Sequence, residues 1–194
     1  MKPRISRKGA RQHDTWRGVR VFTIGHSTRS LDELVAVLRS FEITVLVDIR
    51  TIPRSRHNPQ FNSDALAAAL PTLGLRYVHL KGLGGLRKPH SDSPNQGWRN
   101  TSFRGYADYM ATDEFESALA QLRELAEDGR VAIMCAEAVP WRCHRSLVAD
   151  TLVARGAHVE HISALSRSAP HRMTPFAEVR DERVTYPSES SSAH

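Results

Sequence analysis

Cysteine is nearly absent, with only Cys135 and Cys143 in 194 residues, so no disulfide framework holds this chain together. Aromatic residues are sparse at 7%, and no apolar run approaches the roughly 20 residues needed to span a bilayer. The basic N-terminus lacks the apolar segment of a secretory signal, so the chain is expected to be soluble and cytoplasmic, its thiols reduced. No GxGxxG follows a strand and no GxxxxGK[ST] occurs, which removes the dinucleotide and P-loop fingerprints and names no cofactor. Internal repeats are missing as well. What remains, at 40% hydrophobic content, is enough for one ordinary domain with a real core.

Charge is unevenly spread. The formal net charge is +6, and residues 1–20 alone supply it, with seven Lys and Arg against Asp14. Residues 50–104 hold nine Lys and Arg against Asp64 and Asp92, whereas residues 105–128 hold seven acids against Arg123. Basic charge thus sits in the early loops and acid coats a later helix. This pattern fits first a solvated helix face and a flexible arm; the sharper alternative is a basic rim that draws an anionic small molecule or nucleic acid toward a cleft.

Along the chain, residues 1–18 read as a basic, disordered arm whose end Trp16 could pin, 19–187 as a single α/β domain, and 188–194 as a disordered tail. Short β-branched runs over 19–24, 44–49, 75–80, 131–134 and 157–162 predict about five strands. Between them, Ser30 with Glu33 matches a capping box, and apolar stripes such as Phe115, Leu119, Leu122 and Leu125 predict helices. Residues 82–105 lack a regular signal and carry the aromatic and basic content of a lid. A hairpin is expected around Arg180, Asp181 and Glu182, and 163–170 reads as a connector. Alternation of strands and helices predicts a three-layer α/β/α domain with a mostly parallel sheet.

In such sheets ligands bind outside the carboxyl ends of the strands. The polar residues gather there: His26 and Ser27 after the first strand, Asp48 and Arg50 after the second, His79 at the third, Cys135 and Glu137 after the fourth. The following loop and helix start bring Arg142, Cys143, His144 and Arg145. Expected roles are Cys135 as nucleophile or ligand, Asp48, Glu137 or His26 for proton transfer, and Arg50, Arg142 and Arg145 for negative charge, with Ser27, His79, Cys143 and His144 lining the ligand site. Cys135 ahead of a helix N-terminus resembles the anion-cradling loops of rhodaneses and cysteine phosphatases. Its spacing to Arg142 is one residue too long for the phosphatase loop, and Glu137 would repel a phosphate. Metal binding draws on Cys135, Cys143, His144, His26, His57, His161 and His171, although adjacent Cys143 and His144 on a helix would point about 100° apart.

Five separated motifs, TIGHS at 23–27, DIRTIPRSRHNPQFN at 48–62, GLGG at 82–85, CAEAVPWRCHR at 135–145 and HI at 161–162, resemble the bacterial and archaeal domain-of-unknown-function family numbered 488. The resemblance implies a compact α/β domain without an established reaction. It falls on His26, Asp48, Arg50, Pro53, Cys135, Glu137, Pro140, Cys143, His144 and Arg145. The expected function is an enzyme-like pocket for an anionic, nucleotide- or nucleic-acid-derived ligand; alternatives are a non-catalytic nucleic-acid-binding module and a Cys/His metal or redox sensor.

Overall fold

A computed structural model describes residues 16–188, so the expected basic arm before Trp16 and the tail after Ser188 lie outside the described residues. The first strand β1 (Arg20–Gly25) leads to helix α1 (Leu31–Ser40), then β2 (Val45–Asp48), α2 (Ser63–Thr72) and β3 (Arg76–His79). After a long irregular stretch come α3 (Thr101–Tyr109), α4 (Asp113–Asp128), β4 (Val131–Cys135), α5 (Arg145–Ala154) and β5 (His158–Ala164). The chain closes with β6 (Arg167–Pro170), β7 (Glu178–Arg180) and β8 (Arg183–Thr185).

The sheet order is β3-β2-β4-β1-β5-β6, parallel except for β6, which runs antiparallel to β5. The single α/β domain therefore has six strands in its main sheet where five were expected. The added strand falls in the expected connector. Its sequence, RSAP, is mostly exposed and does not alternate, so backbone pairing rather than side-chain burial makes it a strand. The hairpin of β7 and β8 forms its own small sheet, turning at Asp181 and Glu182 with φ of 49° and 63°.

The two faces of the sheet bury separate cores. Phe22, Ile24, Leu46, Ala132 and Met134 pack under α1 and α2 through Leu34, Leu38, Leu66 and Leu70. Val21, Val47, Val131 and Ile133 pack on the other face against α3, α4 and α5 through Tyr106, Phe115, Leu122 and Leu147. The period-2 alternation of each central strand thus feeds both layers. Ser30 and Glu33 form the expected capping box on α1, with bonds of 2.7 and 3.2 Å. Trp16 is buried and joins the α5-side core, pinning the start of the described chain.

The chain leaves β1 and β2 toward the α1/α2 face and leaves β4 toward the α5 face. Because β4 lies between β2 and β1, its carboxyl end is a topological switch point, where neighbouring connections part and open a crevice. Cys135 is the last residue of β4.

Candidate functional site

From β4 the chain passes through a turn at Pro140–Arg142, whose opening proline suits a tight 3-10 turn, and α5 does not begin until Arg145. Cys143 is extended, with φ −131° and ψ 144°, and His144 is the N-cap. The two residues therefore do not share a helix, and the 100° separation that argued against a shared ion does not apply. The Cys135 and Cys143 sulfurs and a His144 ring nitrogen all lie within 4.8 Å of one another.

His144 is held on several sides. Its Nε2 donates to the Ile49 carbonyl at 3.1 Å, which leaves Nδ1, 3.7 Å from the Cys143 sulfur, without the ring proton. Tyr106 packs against the ring at 4.9 Å. Gly85 covers it closely: a Cβ there would stand 2.9, 3.2 and 3.3 Å from Nδ1, Cγ and Cε1. Nearly equal distances to three ring atoms place that contact over the ring face, so the in-plane lone pair of Nδ1 stays clear. Gly25 is required for a similar reason, since a Cβ would overlap the Glu137 carbonyl at 1.9 Å.

Arg145 is fully buried without a carboxylate partner. Its guanidinium donates to the carbonyls of Glu137 and Ala138, and its Nε has no partner. It fixes the turn that follows β4 and leaves positive charge behind the sulfurs. Burial pushes the Arg145 pKa down, opposed by the charges of Cys143 and Cys135. Hydrogen bonding from Cys143 lowers the Cys135 thiol against the opposing effect of burial, while Cys143 is pushed up by the bond to Cys135 and by burial. Cys135 is thus the thiolate of the pair.

On the opposite face Asp48 and Arg50 form a closed brace. The buried Asp48 carboxylate accepts from the Arg50 backbone amide at 3.0 Å, from Arg50 Nε at 2.9 Å and Nη2 at 2.5 Å, and from the Tyr77 hydroxyl at 2.8 Å. Arg50 also donates to the Phe61 carbonyl at 2.6 Å. Burial would lower the Arg50 pKa, and Asp48 more than offsets it, so the guanidinium is held above its ordinary value. Burial and then the Asp48 charge raise the Tyr77 phenol.

His26 links the brace to the sulfurs. It is buried, stacks on Phe61 at 4.2 Å, donates from Nδ1 to the Ser27 carbonyl at 2.8 Å and presents Nε2 to Arg50 Nη1 at 3.2 Å. Its backbone amide donates to the Cys135 carbonyl at 2.9 Å. Burial, opposed by the Ser27 bond, lowers its pKa and keeps it neutral. Cys135 lies close enough to act weakly on the charge of both His26 and Arg50.

Other expected members stand apart. Glu137 is exposed, its carboxylate accepting from the Val139 amide at 3.0 Å, so it caps the turn. His79 is exposed and contacts the Arg50 carbonyl at 2.8 Å. Arg142 is exposed in the turn between the two cysteines, and Ser27 holds φ 54° with its amide on the Ala136 carbonyl at 2.9 Å. Of the expected metal ligands, His26 faces Arg50 and His57 is exposed on a loop.

His161 and His171 belong to a separate chain of bonds: Thr23 hydroxyl to His161 Nδ1 at 2.7 Å, His161 Nε2 to His171 Nδ1 at 2.8 Å, and His171 Nε2 to Asp150 at 2.7 Å. Asp150 also accepts from Thr174 and the Tyr186 hydroxyl. Burial and then His171 lower His161 to about 4. Sequence reasoning missed this network, although a buried-looking aspartate inside the mostly apolar LVADTLV is its signal.

The expected lid divides in two. Residues 82–85 reach the site through Gly85, while Asp108 clips residues 90–95 to α3 by accepting from the His90 amide, Ser93 and Asn95. Trp98 stacks on Phe103 and meets Phe176 edge to face. A cavity of about 330 Å³ lies beside this clip, lined by His90, Asp108, Met110, Glu116, Arg155 and Val184 among others. It does not reach the sulfurs, and its Glu116 and Arg155 are already paired at 2.6 Å. The switch-point position and the convergence of donor atoms give the cluster greater weight as a chemical site than this concavity.

No curated protein and no solved structure matches the chain. The family model described as "Domain of unknown function DUF488" matches residues 30–152. That interval takes in the DIR, GLGG and CHR motifs with the cluster itself, and stops short of TIGHS and of His161. Matched over more than half its length, the chain belongs to the DUF488 family.

Proposed function

We propose that Cys135, Cys143 and His144 form a soft-metal centre of the zinc class, open on its fourth side, within an enzyme-like pocket for an anionic ligand. The carrying observation is the convergence of two sulfurs and one imidazole within 4.8 Å, with the other imidazole nitrogen committed to a backbone carbonyl. That second bond is the usual partner of a metal-ligating histidine, since it sets the tautomer and aims the bare nitrogen. Three protein ligands leave a tetrahedral ion one position for water or substrate, which is the arrangement of catalytic rather than closed structural zinc. Arg145 behind the sulfurs and Arg142 in the turn between the two cysteines favour a substrate that carries negative charge. Asp48 and Arg50 hold the pocket wall in this reading rather than meeting the substrate. Reduced thiols suit a cytoplasmic setting.

The test is elemental analysis of protein purified without chelators, together with Co²⁺ loading followed by thiolate-to-metal absorption. We expect about one ion per chain, lost in Cys143→Ser and in His144→Ala while both variants stay folded. Metal-free protein that takes up neither Zn²⁺ nor Co²⁺, and whose Tm neither ion raises, would overturn the reading in favour of a free Cys135 nucleophile.

A further inference from the structure

The loops around the sulfurs expose a surface that the metal reading does not use. Ile52, Leu86 and Trp141 are 67%, 77% and 72% exposed, each on a different loop at the carboxyl edge of the sheet. Those loops are tied together. Thr51 donates to the Gly85 carbonyl at 2.7 Å, Gly85 covers the His144 ring, and Trp141 lies in the turn just ahead of Cys143. Leu86 keeps φ at 60°, a conformation unusual for a branched apolar residue, while its side chain stays in solvent. Arg54 and Arg56 follow Ile52 on its loop, and Arg142 follows Trp141. Arg54, Arg56 and Arg142 are exposed, and among the described residues no carboxylate pairs with them, whereas Arg76 and Arg130 elsewhere on the surface sit on Asp128 and Glu42.

We propose that this rim, with Trp141 as its stacking platform and Arg54, Arg56 and Arg142 as its phosphate contacts, binds single-stranded nucleic acid and delivers one unpaired nucleotide to the crevice at Cys135. Unpaired cations beside exposed apolar groups are complementary to a flexible polyanion whose bases have faces to stack. An acidic peptide would satisfy the arginines but leave the indole without a partner. A duplex would satisfy the phosphate contacts but keep its base faces stacked away from Trp141. The surface needs no bound ion, so it stands or falls apart from the metal centre.

The test measures fluorescence anisotropy of a labelled single-stranded oligonucleotide with the full chain, across a salt series, against the duplex of the same sequence and against poly-glutamate as competitor. We expect single strand to bind more tightly than duplex, and poly-glutamate to compete poorly. Trp141→Ala should weaken binding about tenfold and Trp141→Phe should restore most of it, because stacking needs a ring rather than this ring. Replacing Arg54, Arg56 and Arg142 together by alanine should flatten the slope of log K against log salt by about 2, at roughly 0.7 per lost phosphate contact. Equal binding of duplex, equal competition by poly-glutamate, or an unchanged affinity in Trp141→Ala would each overturn the proposal. Metal content read on the same preparations reports the fate of the Cys/His centre independently.

Discussion

Replacing Asp48 by alanine tests whether the brace beneath the pocket is structural. Asp48 accepts three hydrogen bonds from Arg50 and one from Tyr77, and neither charge of the pair reaches water. Without the carboxylate, Arg50 keeps a buried charge with only the Phe61 carbonyl and His26 to answer it. Breaking a buried pair in this way costs about 3–5 kcal/mol. At roughly 2–4 °C per kcal/mol for a chain of this size, Tm should fall by about 10 °C. The Tyr77 hydroxyl and the backbone amide of residue 50 lose their acceptor in Asp48→Ala and equally in the companion variant Asp48→Leu/Arg50→Met; the companion also orphans the Phe61 carbonyl, at about 1–3 kcal/mol, but removes the uncompensated buried charge, which costs more. The double variant should therefore be more stable than Asp48→Ala alone. Denaturant unfolding with matched m-values measures both. A double variant as destabilised as the sum of its singles would refute the claim that the two charges answer each other, and with it the structural assignment of Asp48.

Gly85→Ala should weaken Co²⁺ and Zn²⁺ binding by about tenfold or more, because its Cβ would press on the His144 ring at 2.9 Å and re-aim Nδ1; a Co²⁺ titration reads it, and unchanged affinity would show that the ring tolerates the push. His161, lowered to about 4 in the fold by burial and then by His171, takes a proton near 6.5 once unfolded. The unfolded state therefore binds more protons between those values, so this stability is complete above about pH 6.5 and is lost as pH falls toward 4, by at most about 3 kcal/mol. Unfolding free energies of the wild type and His161→Gln, compared from pH 7 to 4, should show a shallower decline in the variant; parallel curves would remove His161 as the cause.

How far the sequence discloses this molecule depends on whether a feature is carried by side-chain pattern or by backbone path. The central strands were legible because each is a short β-branched run with a turn signal after it, and their carboxyl ends do lie on one rim. β6 was not, because RSAP pairs through its backbone and buries little. The hairpin is legible as a polar Arg180-Asp181-Glu182 interruption, in which Asp181 tolerates its positive φ while Glu182 is not a residue that favours it. The cluster marks the clearest boundary. Cys135, Cys143 and His144 are each legible as candidates, but a helix opening near Arg142, as the sequence suggests, would set their side chains apart. Pro140 was the available correction, since a proline that starts a tight turn delays the helix and leaves Cys143 extended.

Convergence at the rim follows from where β4 lies. A strand between β2 and β1 can accept support from both, and it does: the Met134 carbonyl accepts from the Ile49 amide at 3.0 Å and the Cys135 carbonyl from the His26 amide at 2.9 Å. Ile49 returns its own carbonyl to His144. The sulfur, the imidazole and the brace are therefore positioned by one backbone ladder, while Asp48 points to the α1/α2 face and Cys135 packs toward the α5 face. This division separates the consequences of mutation. Changes in the brace should lower stability and spare metal uptake by the folded fraction, whereas changes at Cys143 or His144 should abolish uptake in protein that still unfolds cooperatively. A brace variant that stays folded yet loses the ion would show that the two faces act as one site.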